Sequence, residues 1–192
     1  MELLGNHSAS VLVIGCFHGD EPQGKCLIDR YLERHIKTTK ILFIPCLNKY
    51  GYNHNKRTNE NGVDLNRNFP TKNWEKSAKD EFYGGEFPAS EAGTKFVIEV
   101  VEKIKPKLIL TLHAPFKVVN YDGDAQKISE KISGIIGYPV KPSIGYPTPG
   151  SFGTWAGVER NIPTITLELD ENVSVESLEK PVFKIFELLE NY

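Results

Sequence analysis

Four short apolar runs, set far apart by long connecting stretches, constrain this chain more than any other feature. They are Ser10–Cys16 (SVLVIGC), Lys40–Cys46 (KILFIPC), Lys107–Leu112 (KLILTL) and Pro163–Leu169 (PTITLEL). Each is rich in β-branched residues and far below the roughly 20 apolar residues that cross a bilayer. Near-continuous hydrophobicity over so short a span reads as a strand buried on both faces. Segments with helical spacing lie between the runs. Leu27, Ile28, Tyr31, Leu32 and Ile36 predict a helix over 21–37, and Phe96, Val97, Val100, Val101 and Ile104 a second. Residues 124–136 and 174–190 continue the alternation. Ser90 is the candidate N-cap of the second helix, with Glu91 in its first turn, and Pro106 ends it. Strands alternating with helices predict an α/β fold with a largely parallel sheet, in a single domain spanning 1–192. Two stretches fall outside the alternation. Residues 47–89 lack periodicity, and 142–153 (PSIGYPTPGSFG) are turn-rich. A loop as long as the first is uncommon inside a domain and points to function.

Composition narrows the function classes. The chain has 192 residues, enough for one buried core without disulfide or metal staples. Twenty-three basic against 25 acidic residues give a net charge of −2, which argues against a dedicated nucleic-acid binder. No run is long and apolar enough for a membrane span, and the first ten residues show neither a basic n-region nor a small-residue cleavage site. Cys16, Cys26 and Cys46 are odd in number, sit among apolar residues and lack CxxC spacing, as expected of reduced core thiols in the cytoplasm.

Four groups of polar residues lie at or just after predicted strand ends, the edge where open α/β sheets build their sites. His18 and Glu21 form an HxxE pair after the first strand; an imidazole and a carboxylate so spaced on a tight turn can face one metal ion. A pair this short also arises by chance, and Glu21 alone could serve a helix N-terminus. His113 follows the third strand in LHAP, where a hydrogen-bonded histidine is the commoner occupant. Asp64, Asn66, Arg67 and Asn68 crowd into GVDLNRNFP, an acid, two amides and a guanidinium suited to gripping a carboxylate. Glu168 stands between Leu167 and Leu169, where a carboxylate is costly unless paired, functional or turned to solvent.

Taken together, these residues resemble the zinc carboxypeptidases of the carboxypeptidase A type, and within them the short bacterial murein peptide amidases. The pieces occur in the family's order from about Val11 to Leu169: GxHGDEP, NxxG at Asn48–Gly51, RxN at Arg57–Asn59, GVDLNRNFP, YGGEFPASE, LHAP and TLEL. GVDLNRNFP is a specific signature, and the ordered set is more specific still. The resemblance implies a three-layer αβα architecture around a mostly parallel, mixed and twisted sheet. It implies one zinc ion per chain held by His18, Glu21 and His113, with Asp64 orienting a ligand histidine. Glu168 would be the base in a Glu-assisted attack of zinc-bound water, and then the acid that protonates the leaving amine. Arg57 would hold the developing oxyanion, Asn66 and Arg67 the substrate's terminal carboxylate. Tyr146 is the nearest match to the family's mobile tyrosine, and the side-chain specificity pocket falls near Ser151 or Phe152. The implied reaction releases the C-terminal residue of a small peptide, by cleavage of the γ-D-glutamyl–meso-diaminopimelate bond of a murein tripeptide. A cytoplasmic recycling role follows, with no nucleic-acid or membrane partner and a homodimer allowed. The larger relatives carry additional strands before the HxxE strand, so the substrate cleft can differ.

Two other functions compete. An N-acyl amino acid amidohydrolase of the succinylglutamate desuccinylase or aspartoacylase type shares HxxE and an NR pair, but Asn68 and the TLEL context favour the peptidase. A catalytically silent binding module would have lost a ligand or the base, and none is missing here.

Overall fold

The computed structural model describes residues 1–5, 8–34, 40–142 and 145–192. Among them, seven strands form one mixed sheet. In chain order they are β1 (Leu4–Gly5), β2 (Val11–Gly15), β3 (Ile41–Ile44), β4 (Leu108–His113), β5 (Val118–Asp122), β6 (Val140–Lys141) and β7 (Thr164–Glu168). The helices are α1 (Gln23–Arg34), α2 (Lys49–His54), α3 (Ala92–Ile104), α4 (Gln126–Ile136) and α5 (Val175–Glu190). Across the sheet the order is β1-β3-β2-β4-β7-β5-β6. Strands β3, β2, β4 and β7 run parallel to their neighbours in that series; β1 pairs antiparallel with β3, and β5 antiparallel with β7. From β2 the chain crosses first to β3 on one side and then to β4 on the other, so a crevice opens at the carboxyl ends of β2 and β4.

Alternation along the strands sorts the two faces of the sheet. Val11, Val13, Ile41, Phe43, Leu110, Leu112, Val119, Ile165 and Leu167 pack beneath α1, α4 and α5. Leu12, Ile14, Leu42, Ile44 and Ile109 face the other way, against α3 and a cluster of Phe17, Phe69, Phe152 and Trp155 supplied by loops. Helices thus cover both faces, the three-layer arrangement that the family resemblance implies. Each helix turns its periodic apolar positions inward, as Leu27, Ile28 and Tyr31 do in α1 and Val97, Val100 and Val101 in α3.

The expected elements need several adjustments. The first helix is described from Gln23 to Arg34; Ile36, part of the predicted pattern, lies outside the described residues. In the turn-rich stretch, 143–144 also lie outside them. Ser90 does not cap α3. The cap position is Glu91, which makes no side-chain capping bond, and the Ser90 hydroxyl donates to Glu91 Oε1 at 2.6 Å instead. The segment 47–89 contains α2 and a short 3₁₀ turn, Leu65–Arg67, capped by Asp64. Strands β1, β5 and β6 add to the four apolar runs. Two have only two residues, and β5 carries Asn120 and Asp122, which obscure its hydrophobic signal.

Candidate active site

The crevice gathers its polar side chains from strand ends and from the loop after α2. Directly after β2, Cys16 takes a left-handed φ of 55°, and the chain turns sharply through Phe17 and His18 before α1 begins. Gly19 allows this turn to lie against α2, since a Cβ there would collide with the Gly51 backbone. His113 closes β4 and Glu168 closes β7, and the two are register partners on adjacent strands.

His18 Nδ1 lies 2.7 Å from Glu21 Oε1, and His113 Nδ1 lies 3.0 Å from Glu21 Oε2. One donor atom from each of the three falls within 4.8 Å of the others. Two imidazole nitrogens and a carboxylate, converging at a cleft wall, are a donor set that suits zinc. The other nitrogen of His18, Nε2, is 3.0 Å from Asp64 Oδ1. A proton held there leaves Nδ1 with its lone pair toward Glu21, the usual outer support of a metal-ligating histidine. The residues present therefore fit the ion that the sequence resemblance implies.

Asp64 is fully buried and serves several partners. Its Oδ1 accepts the backbone N–H of Asn66 at 2.8 Å, and its Oδ2 accepts Arg57 Nη2 at 2.8 Å and Nε at 3.1 Å. Arg57 Nη1 comes within 3.7 Å of Glu21 Oε1, so the guanidinium leans over the Glu21 carboxylate while Asp64 holds it from the other side.

Charges adjust to this crowding. Burial lowers the tendency of His18 to take a proton, but the Asp64 and Glu21 carboxylates outweigh it and raise its pKa to about 9 in the metal-free chain. Burial dominates at His113 and lowers its pKa. Glu21 and Asp64 are held below the usual carboxylate range by the histidines, against the upward push of burial. Glu168 moves the other way. Burial first, and the Glu21 charge second, push its carboxyl up to about 8. Its Oε2 is buried and has no hydrogen-bond partner among the described residues. An orphaned carboxylate oxygen beside a candidate metal centre is free for a proton in transit.

Arg67 and Asn66 line the same cleft. The Arg67 guanidinium is buried, donates from Nη1 to the Asn66 carbonyl at 2.8 Å, and forms no ion pair among the described residues. Asn66 accepts the Phe152 backbone N–H at Oδ1, 2.9 Å, which leaves its amide N–H groups for a ligand. Tyr146 stands exposed at the rim, edge-on to Phe116 at 6.5 Å between ring centroids. Asn68 acts outside the cleft: its Nδ2 donates to the carbonyls of Gly84 and Phe87 and to Ser90 Oγ, and its Oδ1 accepts the Glu91 N–H. It fastens the loop rather than touching a ligand.

Of the two residues expected near the specificity pocket, Ser151 lines the cleft. Phe152 does not; it is buried against Phe17, Phe69 and Trp155 in the core. Its backbone N–H is what serves the site. Sequence reasoning missed Asn120, Asp122 and Thr166, which form part of the cleft wall. Their period-two spacing on β5 and β7 was the available signal.

A family model described as zinc carboxypeptidase matches residues 5–134. The chain is 31% identical over 195 residues to murein peptide amidase A of Escherichia coli, covering 94% of this chain and 79% of that protein. Murein peptide amidase A of Vibrio campbellii is 28% identical over 197 residues, with 94% and 77% covered. Among solved structures, murein-tripeptide amidase MpaA from Escherichia coli superposes with a TM-score of 0.85 at 28% identity, covering 97% of this chain and 83% of that one. Carboxypeptidase A from Helicoverpa armigera shares the fold, with a TM-score of 0.75 at 16% identity over 98% of this chain and 64% of that one.

Proposed function

Because the chain belongs to the zinc carboxypeptidase family, and is on that ground a peptide hydrolase, we propose that it removes the C-terminal residue of a murein tripeptide, at the γ-D-glutamyl–meso-diaminopimelate bond. One observation carries the carboxypeptidase part of this reading. A buried Arg67 guanidinium, with no ion-pair partner among the described residues, lines the same cleft as the His18–Glu21–His113 cluster and Glu168, whose Oε2 has no hydrogen-bond partner. A substrate whose terminal carboxylate rests on Arg67 then presents its last amide bond to the groups that cleave it. The murein part is supported by the amidase relatives, which match nearly the whole chain.

His18, Glu21 and His113 would hold one zinc ion, with Asp64 fixing the tautomer of His18. Bound there, zinc supplies Lewis acidity, which makes water a stronger acid and draws electron density from a carbonyl. Arg67 and Asn66 bind the terminal carboxylate through charge-assisted hydrogen bonds and fix the register of the scissile bond. Arg57, held by Asp64, stabilises the oxyanion that develops as the carbonyl is attacked. Glu168 takes a proton from the attacking water onto its free Oε2 and passes it to the leaving amine. Tyr146 closes over the bound peptide from the rim. Cys16, Cys26 and Cys46 are free thiols, which suits action in the reducing cytoplasm, on peptides released from the wall.

The test is to incubate zinc-loaded protein with L-Ala-γ-D-Glu-meso-diaminopimelate and with N-acyl amino acids, following products by mass beside a chelator control. Chelator-sensitive release of diaminopimelate is the expected result. Cleavage of the acyl amino acids alone would replace this reading with the desuccinylase-like one.

A further inference from the structure

The two arginines of the cleft share an aromatic ring that the reaction above does not use. The Arg57 guanidinium lies over the Phe82 ring at 5.1 Å and that of Arg67 at 5.9 Å, measured from each guanidinium carbon to the ring centroid. Both distances fall inside the roughly 6 Å over which a cation is drawn to an aromatic face. Phe82 does not line the cleft itself. It lines an adjoining cavity with Tyr146, Pro147 and Pro149, and Arg67 borders both spaces. Any effect of the ring on a ligand in the cleft therefore passes through the arginines.

Burial does not account for a phenylalanine at this place. Phe82 is 43% exposed and follows an exposed stretch, 75–81 (EKSAKDE). The backbone around it is nonetheless fixed. Asp80 makes a turn in which its side chain accepts the Phe82 N–H at 2.8 Å and its carbonyl accepts the Tyr83 N–H at 3.2 Å. The Tyr83 carbonyl in turn accepts the Asp64 N–H at 2.8 Å, and the Asp64 carboxylate is what holds Arg57. Gly84 lets the chain lie against the backbone of Arg67, since a Cβ there would come within 2.7 Å of the Arg67 carbonyl oxygen. The residues that follow the ring are thus tied to Asp64 and to Arg67, and the ring is carried to the two guanidiniums by those ties.

The geometry points to Phe82 as a positioning residue that holds the Arg57 and Arg67 guanidiniums side by side at the cleft wall without taking up the N–H donors a substrate needs. A carboxylate partner would hold them by occupying those donors and cancelling their charge. A ring face does neither, and its negative quadrupole offsets the repulsion between two neighbouring cations. Arg57 already donates from Nε and Nη2 to Asp64. Arg67 donates from Nη1 to the Asn66 carbonyl and forms no ion pair among the described residues, so the ring is the larger part of what orients it. This inference rests on the peptidase reading and adds to it one residue that serves the carboxylate grip and the oxyanion donor together.

The experiment compares zinc-reconstituted wild-type protein with Phe82→Leu, which keeps an apolar side chain and loses the π face, and with Phe82→Tyr, which keeps the ring. The substrate is L-Ala-γ-D-Glu-meso-diaminopimelate. Phe82→Leu should lose about three- to tenfold in kcat/KM, the scale of a cation–π contact, divided between a higher KM through Arg67 and a lower kcat through Arg57. Phe82→Tyr should stay within about twofold of wild type. On an Arg67→Ala background the KM share of the Phe82→Leu loss should vanish, because the residue it acts through is gone. Unchanged kinetics in Phe82→Leu, equal losses in Phe82→Leu and Phe82→Tyr, or a KM loss undiminished on the Arg67→Ala background each overturn the inference. If wild-type protein cleaves nothing, the peptidase reading fails separately, and the NMR signals of the Arg57 and Arg67 Nε–H groups decide. A ring-current shift present in wild type and Phe82→Tyr and lost in Phe82→Leu supports the role of Phe82, and signals that do not move in Phe82→Leu overturn it.

Discussion

His113 and Glu168 are register partners on adjacent parallel strands, one ending β4 and the other β7. The candidate ligand and the candidate base are thus set side by side by the backbone ladder itself, not by a loop. Their spacing cannot relax without breaking the centre of the sheet, which is the kind of support that precise proton transfer requires.

Glu168→Gln removes the candidate base and keeps the shape. The variant should bind zinc with wild-type stoichiometry while kcat falls by about 10²–10⁴, the range of a lost general base. Metal content by elemental analysis beside turnover checks both halves. Near-normal turnover would remove Glu168 from the role.

Asp64→Asn weakens the support of His18 and of Arg57 together. Zinc affinity should fall by about 10–100-fold, the usual cost of losing the partner of a ligating histidine. Competition with a chromogenic chelator measures it, and unchanged affinity would show that His18 is oriented by other means.

If Arg67 and Asn66 hold the substrate's terminal carboxylate as proposed, Arg67→Ala leaves Asn66 alone with it. Hydrolysis of free-acid peptides should drop by at least tenfold more than hydrolysis of their C-terminal amides, about the worth of a charged hydrogen bond. Equal losses on both would make Arg67 a structural residue.

Phe152→Ala opens a void between Phe17, Phe69 and Trp155. Denaturant unfolding should show a loss of about 3–5 kcal/mol, as for other buried aromatics cut to alanine. A loss below about 1 kcal/mol would mean that the loop cluster is less tightly packed than the structure shows.

Glu168 also predicts a pH signature in metal-free protein. Its carboxyl rises from 4.5 to about 8 on folding, so the native state holds this proton more tightly than the unfolded chain does. The group therefore costs stability as pH climbs above 4.5, and the cost levels off above about 8. Glu168→Gln should raise the melting temperature of the apo-protein relative to wild type by a margin that grows across that interval and then stays constant. A margin independent of pH would contradict the burial of an ionisable group there.

The candidate site residues drew attention in the sequence because His18 and His113 follow closely on apolar runs and Glu168 interrupts one. The four central strands were legible for the same reason: burial on both faces writes itself as unbroken hydrophobicity. Strand β5 escaped because one of its faces looks into the cleft, so Asn120 and Asp122 replace the apolar partners that alternation would need. Helix α2 is six residues long and spells KYGYNH, too short and too polar for a period to emerge. Ser90 looked like a cap by type and position, yet its hydroxyl donates its hydrogen bond to the Glu91 carboxylate that follows it. Local rules could not foresee that Asn68, from 22 residues away, would reach the same corner.

Asp64 meets His18 through one oxygen and Arg57 through the other. A single carboxylate thereby bears on both the basicity of a candidate ligand and the aim of a candidate oxyanion donor. Neither property can drift alone: any change that retunes one detunes the other.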